Sequence, residues 1–171
     1  MRKILAFLIA ALLILVDQIT KILITTNFEI GESRTVIPNI LTFTYIRNPG
    51  AAFGILADHR WVFMSITTIV LIVCAALIIH GKFIKSKLDT AAVILIFAGG
   101  VGNMIDRTFR GDFLEGSVID FFNLSFFPAV FNVADVLVVI GASIIIFAQI
   151  RSIFFGKKIP KAEPTAEANQ P

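Results

Sequence analysis

The chain has 171 residues, of which 57% are hydrophobic and only 16% charged. A soluble domain carries about 25% charged residues, so the composition defines an integral membrane protein, and no nucleic-acid partner is expected. The lone cysteine, Cys74, excludes an internal disulfide and any multi-cysteine metal site. It lies in an apolar run and reads as a small core or lipid-facing residue.

Four segments are long enough to cross a bilayer, which takes about 20 apolar residues. They run roughly Ile4–Ile24, Trp61–Ile79, Ala91–Asp106 (from near Leu88) and Phe131–Phe154. Arg2 and Lys3 ahead of the first segment give it a signal-peptide look. No small-residue cleavage site follows, and Asp17, Gln18 and Lys21 mark a retained span.

Between the first two spans, Val36-Ile37 and Leu41–Ile46 are rich in β-branched and aromatic residues and flank Pro38-Asn39 turn chemistry. A small antiparallel sheet resting on the outer membrane surface is expected there. The connection before the fourth span holds Phe121, Phe122, Phe126, Phe127 and Phe131 around Pro128, and is expected to dip into the interface. One membrane domain over residues 1–155 is expected, with a disordered, polar, proline-bearing tail over 156–171. The fold class is all-α polytopic, with four transmembrane helices.

The net charge of +3 matters less than the placement of the positive residues. Arg2, Lys3, Lys82, Lys85, Lys87, Arg151, Lys157, Lys158 and Lys161 fall on one side, whereas the opposite loops contain no lysine. The positive-inside rule then puts both termini in the cytoplasm and both long connections outside.

With that orientation, Asp17 and Lys21, Asn103 and Asp106, and Asn132 and Asp135 share one outer depth. Asp17 and Lys21 are four apart, in the order that favours pairing. Each of the other two pairs is three apart and shares a helix face. Gly99, Gly100 and Gly102 would let a neighbouring helix approach closely. Carboxylates at membrane depth are rare, because each costs at least about 3 kcal/mol. Asp120, in the connection between these spans, joins the same stretch.

No HExxH, GxSxG or phosphate-loop lysine is present, and His59 and His80 lie outside this layer. What remains is carboxylate chemistry, in which two neighbouring aspartates have their titrations pushed apart. Spacing alone leaves three readings open: catalysis, transport or proton relay through Asp106 and Asp135, and structural pairing.

The chain resembles the lipoprotein signal peptidase (signal peptidase II) family in five boxes. These are Asp17-Gln18-Ile19-Thr20-Lys21, Asn48-Pro49-Gly50-Ala51-Ala52-Phe53, Gly102–Arg107, Val118-Ile119-Asp120-Phe121 and Phe131–Asp135. The likeness runs from about Ile4 to Phe154. It implies four helices, an outer-face β-cradle and an aspartic dyad that needs no metal or cofactor. It further implies cleavage of diacylglyceryl-modified prolipoproteins just before the lipidated cysteine, in a bacterial cytoplasmic membrane. Membrane lipid as a partner, sensitivity to globomycin-type cyclic peptides and a monomeric state are implied in the same way. Carried onto this chain, the dyad is Asp120 and Asp135. Asp17, Lys21, Asn48, Gly50, Asn103, Arg107 and Asn132 form the supporting shell, and Asp106 is structural. Thr108–Ser117 is longer, and Asn123–Val130 shorter, than the family pattern suggests.

Overall fold

The computed structural model describes residues 2–49, 60–81, 86–111 and 116–155. Four long helices, α1 (Arg2–Asn27), α2 (Arg60–His80), α3 (Lys87–Phe109) and α4 (Val133–Phe155), lie within a few residues of the four expected segments. Three of them contain stretches long and apolar enough to cross a membrane: Lys3–Asn27, Lys87–Phe109 and Val133–Phe154. α2 contributes a shorter apolar stretch, Met64–His80.

The bundle is inverted relative to a soluble protein. Leu12, Ile72 and Phe147 are each more than 60% exposed, while Asp17, Lys21, Asp106 and Asn132 are fully buried. That distribution suits an apolar solvent outside and a polar network inside. An apolar core of Ala6, Ala10, Cys74, Ile78, Val93, Ile94, Ala98 and Leu137 joins the helices, and it includes the cysteine.

α3 is the central helix, and glycines let its neighbours close on it. A Cβ on Gly99 would collide with the Ala134 carbonyl oxygen of α4 and lie 2.8 Å from Val138 Cγ2. One on Gly102 would lie 2.5 Å from the Asp17 carboxylate of α1. The glycine-rich turn of α3 is therefore what admits a charged side chain between two helices.

Both long connections contribute to a single four-stranded antiparallel sheet in the order β1-β2-β3-β4: β1 (Ser33–Ile37), β2 (Leu41–Asn48), β3 (Val118–Leu124) and β4 (Val130–Phe131). The first hairpin was expected; Asn39 turns it with φ 59°, a conformation asparagine tolerates. The second half differs from expectation. Val118-Ile119-Asp120-Phe121 is a strand buried on both faces and paired with β2, with Ile46 opposite Asp120. Of the five phenylalanines in this connection, Phe126 and Phe127, beyond the strand, remain substantially exposed. A second apolar cluster of Ile24, Tyr45, Ile119 and Phe121 seats the sheet on the end of α1. The tail from 156 and His59 lie outside the described residues.

Candidate active site

Lys21 lies at the centre of a buried ionic cluster. Its Nζ donates to Asp17 Oδ2 at 2.9 Å, to Asp106 Oδ2 at 2.7 Å and to Asn103 Oδ1 at 3.0 Å. An ammonium has three donors, and all three are used. Asp17 also accepts the Ala134 amide through Oδ1 at 2.9 Å, tying α1 to the first turn of α4.

Asp106 is held from both sides. Oδ2 takes Lys21 and the Ile119 backbone N–H at 3.3 Å, and Oδ1 takes Arg110 Nε at 2.8 Å and Gln18 Nε2 at 3.3 Å. Two carboxylates, one ammonium and one guanidinium balance to zero charge. Gln18 and Arg110 were absent from the site expected on sequence. Asp106 and Arg110 are four apart on α3 and its end, a spacing that could have revealed the second of them.

From Lys21 the network passes through two asparagines to the paired carboxylates. Asn103 accepts Lys21 and, at 3.0 Å, Asn132 Nδ2; its own Nδ2 donates to Asp135 Oδ1 at 2.7 Å. Asn132 Nδ2 also donates to Asp120 Oδ1 at 2.6 Å, and Asn48 Nδ2 donates to Asp120 Oδ2 at 2.9 Å. Arg107 Nη1 donates to the Asn103 carbonyl oxygen at 3.3 Å.

Asn132 and Asp135 do not share a helix face as their spacing suggested. Asn132 is the residue ahead of α4: its Oδ1 accepts the Asp135 N–H at 3.0 Å, and Asp135 Oδ2 accepts the Asn132 N–H at 3.2 Å. This is a reciprocal capping box, the same device as Ser86 and Asp89 at the start of α3. One asparagine thus ends a helix, binds one aspartate through its side chain and fixes the other through its backbone.

Asp120 sits on β3, outside the helices. Burial, and then the charge of Asp135, push its carboxyl up to about 7, against the weaker opposing effect of the amides of Asn48 and Asn132. Of the residues expected at the site, Asp17, Lys21, Asn48, Asn103, Asp106, Arg107, Asn132, Asp120 and Asp135 belong to this one connected assembly. Gly50 lies outside the described residues. An open cleft of about 390 Å³ between Ser86, Asp89, Phe147 and Arg151 lies at the opposite end of α3 and α4, far from these carboxylates.

A bundle of apolar helices with a carboxylate network buried at one end, capped by a sheet that carries a further aspartate, is the architecture of a membrane-embedded enzyme. A solved structure described as a "Bacterial membrane enzyme structure by the in meso method at 2.3 A resolution" is 37% identical in sequence, with a TM-score of 0.78 over 90% of this chain and 92% of that one. The family model for Signal peptidase (SPase) II matches residues 9–151. The lipoprotein signal peptidase of Brevibacillus brevis is 43% identical over 143 residues, 82% of this chain and 91% of that protein. That of Halalkalibacterium halodurans is 39% identical over 158 residues, 89% and 96% of the two chains. The chain belongs to the signal peptidase II family, and with it to the membrane peptidases.

Proposed function

We propose that the protein is an intramembrane aspartic endopeptidase that removes signal peptides from diacylglyceryl-modified prolipoproteins, cleaving just before the lipidated cysteine. Asp120 and Asp135 are the dyad. The observation that carries this is the bridging of two carboxylates by one residue, Asn132, with Asp120 raised to about 7. The names of the relatives supply the substrate class.

Peptide hydrolysis by two aspartates needs one carboxylate and one carboxylic acid. With a single proton shared by the pair, burial places it on Asp120. Asp135 draws a proton from water as the water attacks the scissile carbonyl carbon, and Asp120 donates its proton to the carbonyl oxygen. Collapse of the tetrahedral intermediate breaks the C–N bond as Asp135 passes the proton it took from water to the nitrogen, and Asp120 recovers its own from a hydroxyl of the intermediate. The amides of Asn48, Asn103 and Asn132 hold the carboxylates in place without adding charge.

The lysine asymmetry supports both termini in the cytoplasm, with the sheet and dyad near the outer face of a bacterial cytoplasmic membrane and α2 as the fourth span. A substrate whose apolar core spans the bilayer then presents its cleavage site at the depth of the dyad, its acyl chains remaining in lipid. The proton-relay reading with Asp106 is disfavoured, since both its oxygens are occupied by Lys21, Ile119, Arg110 and Gln18.

The test is cleavage of a purified lipidated substrate in detergent. Asp120→Asn and Asp135→Asn are each expected to abolish turnover while the protein still inserts and purifies, and the double variant should be little worse than either. Asp106→Asn should retain measurable turnover. Near-normal activity in Asp120→Asn, with loss in a folded Asp106→Asn, would move the dyad to Asp106 and Asp135. Activity is expected to survive a strong chelator, and dependence on added metal would count against the mechanism.

A further inference from the structure

Arg110 is the first residue beyond α3, where the chain leaves the helix towards β3. Its guanidinium makes two directed bonds, Nε to Asp106 Oδ1 at 2.8 Å and Nη2 to Gln18 Oε1 at 3.1 Å. Gln18 completes a ring by donating to the same Asp106 oxygen at 3.3 Å, and it also donates to Asp17 Oδ2 and to the Gly102 carbonyl, both at 3.1 Å. The other oxygen of Asp106 accepts the N–H of Ile119, a fully buried residue adjacent to Asp120. A planar fork with two fixed donors can hold the Asp106 oxygen and the Gln18 amide in register with one another, which a single point charge cannot.

We propose that Arg110 is a positioning residue for the reaction: it clamps Asp106 against Gln18 of α1, and so fixes the carboxylate that anchors the strand carrying Asp120. The inference rests on the assignment of Asp120 to the dyad. Arg110 touches neither Asp120 nor Asp135. Its action passes through Asp106 to the Ile119 amide, and a displacement of about 1 Å at a reacting group can cost up to a hundredfold in rate.

Arg110 also supplies the second positive charge of the cluster. Without it, Asp17 and Asp106 face Lys21 alone and one negative charge is uncompensated. Among the described residues, the charged groups around Asp120 are Asp135 of α4, Asp17 and Lys21 of α1, Asp106 and Arg107 of α3, and Arg47 on the neighbouring rung of β2. An added negative charge in this set favours the protonated form of Asp120. Loss of Arg110 therefore moves the alkaline limb of the activity profile to higher pH.

The experiment compares the full-length wild type, Arg110→Gln and Arg110→Lys in detergent, with a lipidated substrate, well below their melting temperatures and normalised to folded protein. Arg110→Gln is expected to lower kcat roughly tenfold, leave KM within about twofold, and shift the alkaline limb upward. Arg110→Lys should return the limb towards wild type, because the charge is restored. Its kcat should remain several-fold low, because the fork is not. If Arg110→Gln yields too little folded protein, the kcat of Arg110→Lys decides. Wild-type kcat in either folded variant, or a purely KM effect, overturns the clamp. Asp120→Asn runs alongside: if it is inactive while Arg110→Gln has wild-type kcat, the clamp alone fails. An active Asp120→Asn overturns the dyad, and with it the group that Arg110 is said to position.

Discussion

Lys21 has no exposed surface and no spare donor, so its removal leaves Asp17 and Asp106 facing one another inside the bundle. Breaking a buried pair in this way costs about 3–5 kcal/mol. Lys21→Met is expected to lose that much thermal stability or folded yield, and Lys21→Arg less; equal, wild-type melting of both would contradict the cluster. On the proposed assignment of the dyad, the pH dependence of turnover is set at Asp120. As pH rises through about 7 the Asp120 proton is lost and the acid is missing, so activity should fall on the alkaline side. The apparent values belong to the pair, and a rate that stays flat to pH 9 would exclude Asp120 as the acid. The Asp17–Lys21 pair was legible from its four-residue spacing. Gln18 was not, because a glutamine beside an aspartate in an apolar run gives no sign of which helix it will meet.

The elements place these residues by two devices, a capping box and a glycine face. The box at α4 makes the position of Asp135 a property of the helix start, since N-cap and third residue bond reciprocally. The glycine face of α3 makes room for Asp17, and Gly102→Ala is expected to cost about 1–3 kcal/mol by overpacking against that carboxylate. Unchanged melting of Gly102→Ala would show that α1 can retreat. Helix boundaries were readable because apolar length marks them directly. Strand β3 was not, although Val118, Ile119, Phe121 and Phe122 have strand-forming side chains. Its neighbours on both faces come from distant parts of the chain, so the alternation that marks a half-buried strand is missing.

At the scale of the molecule, the sheet lies at one end of the bundle, and the lysine asymmetry carries the proposal that this end faces outside. A cysteine introduced at position 112, in a chain whose Cys74 has been replaced, is expected to react with an impermeant reagent from outside. A reporter fused after residue 161 should be cytoplasmic, and labelling of position 112 only after lysis would reverse the layout. The gathering of Asp17, Asp106 and Asp135 at one depth was legible because three spans carried carboxylates at matching distances from their ends. The choice of Asp120 was not, because its depth is fixed by sheet pairing. The ionic cluster also bears on how the chain is made. Asp17 and Lys21 pair within α1, and Asp106 and Arg110 pair at the end of α3, each four residues apart with the acid first. Spans α1 and α3 can therefore enter lipid with Asp17 and Asp106 already paired on their own stretch of chain. Docking α1 on α3 then brings two paired charges together at Lys21 and Asp106, so neither of these two carboxylates is carried into the bilayer alone.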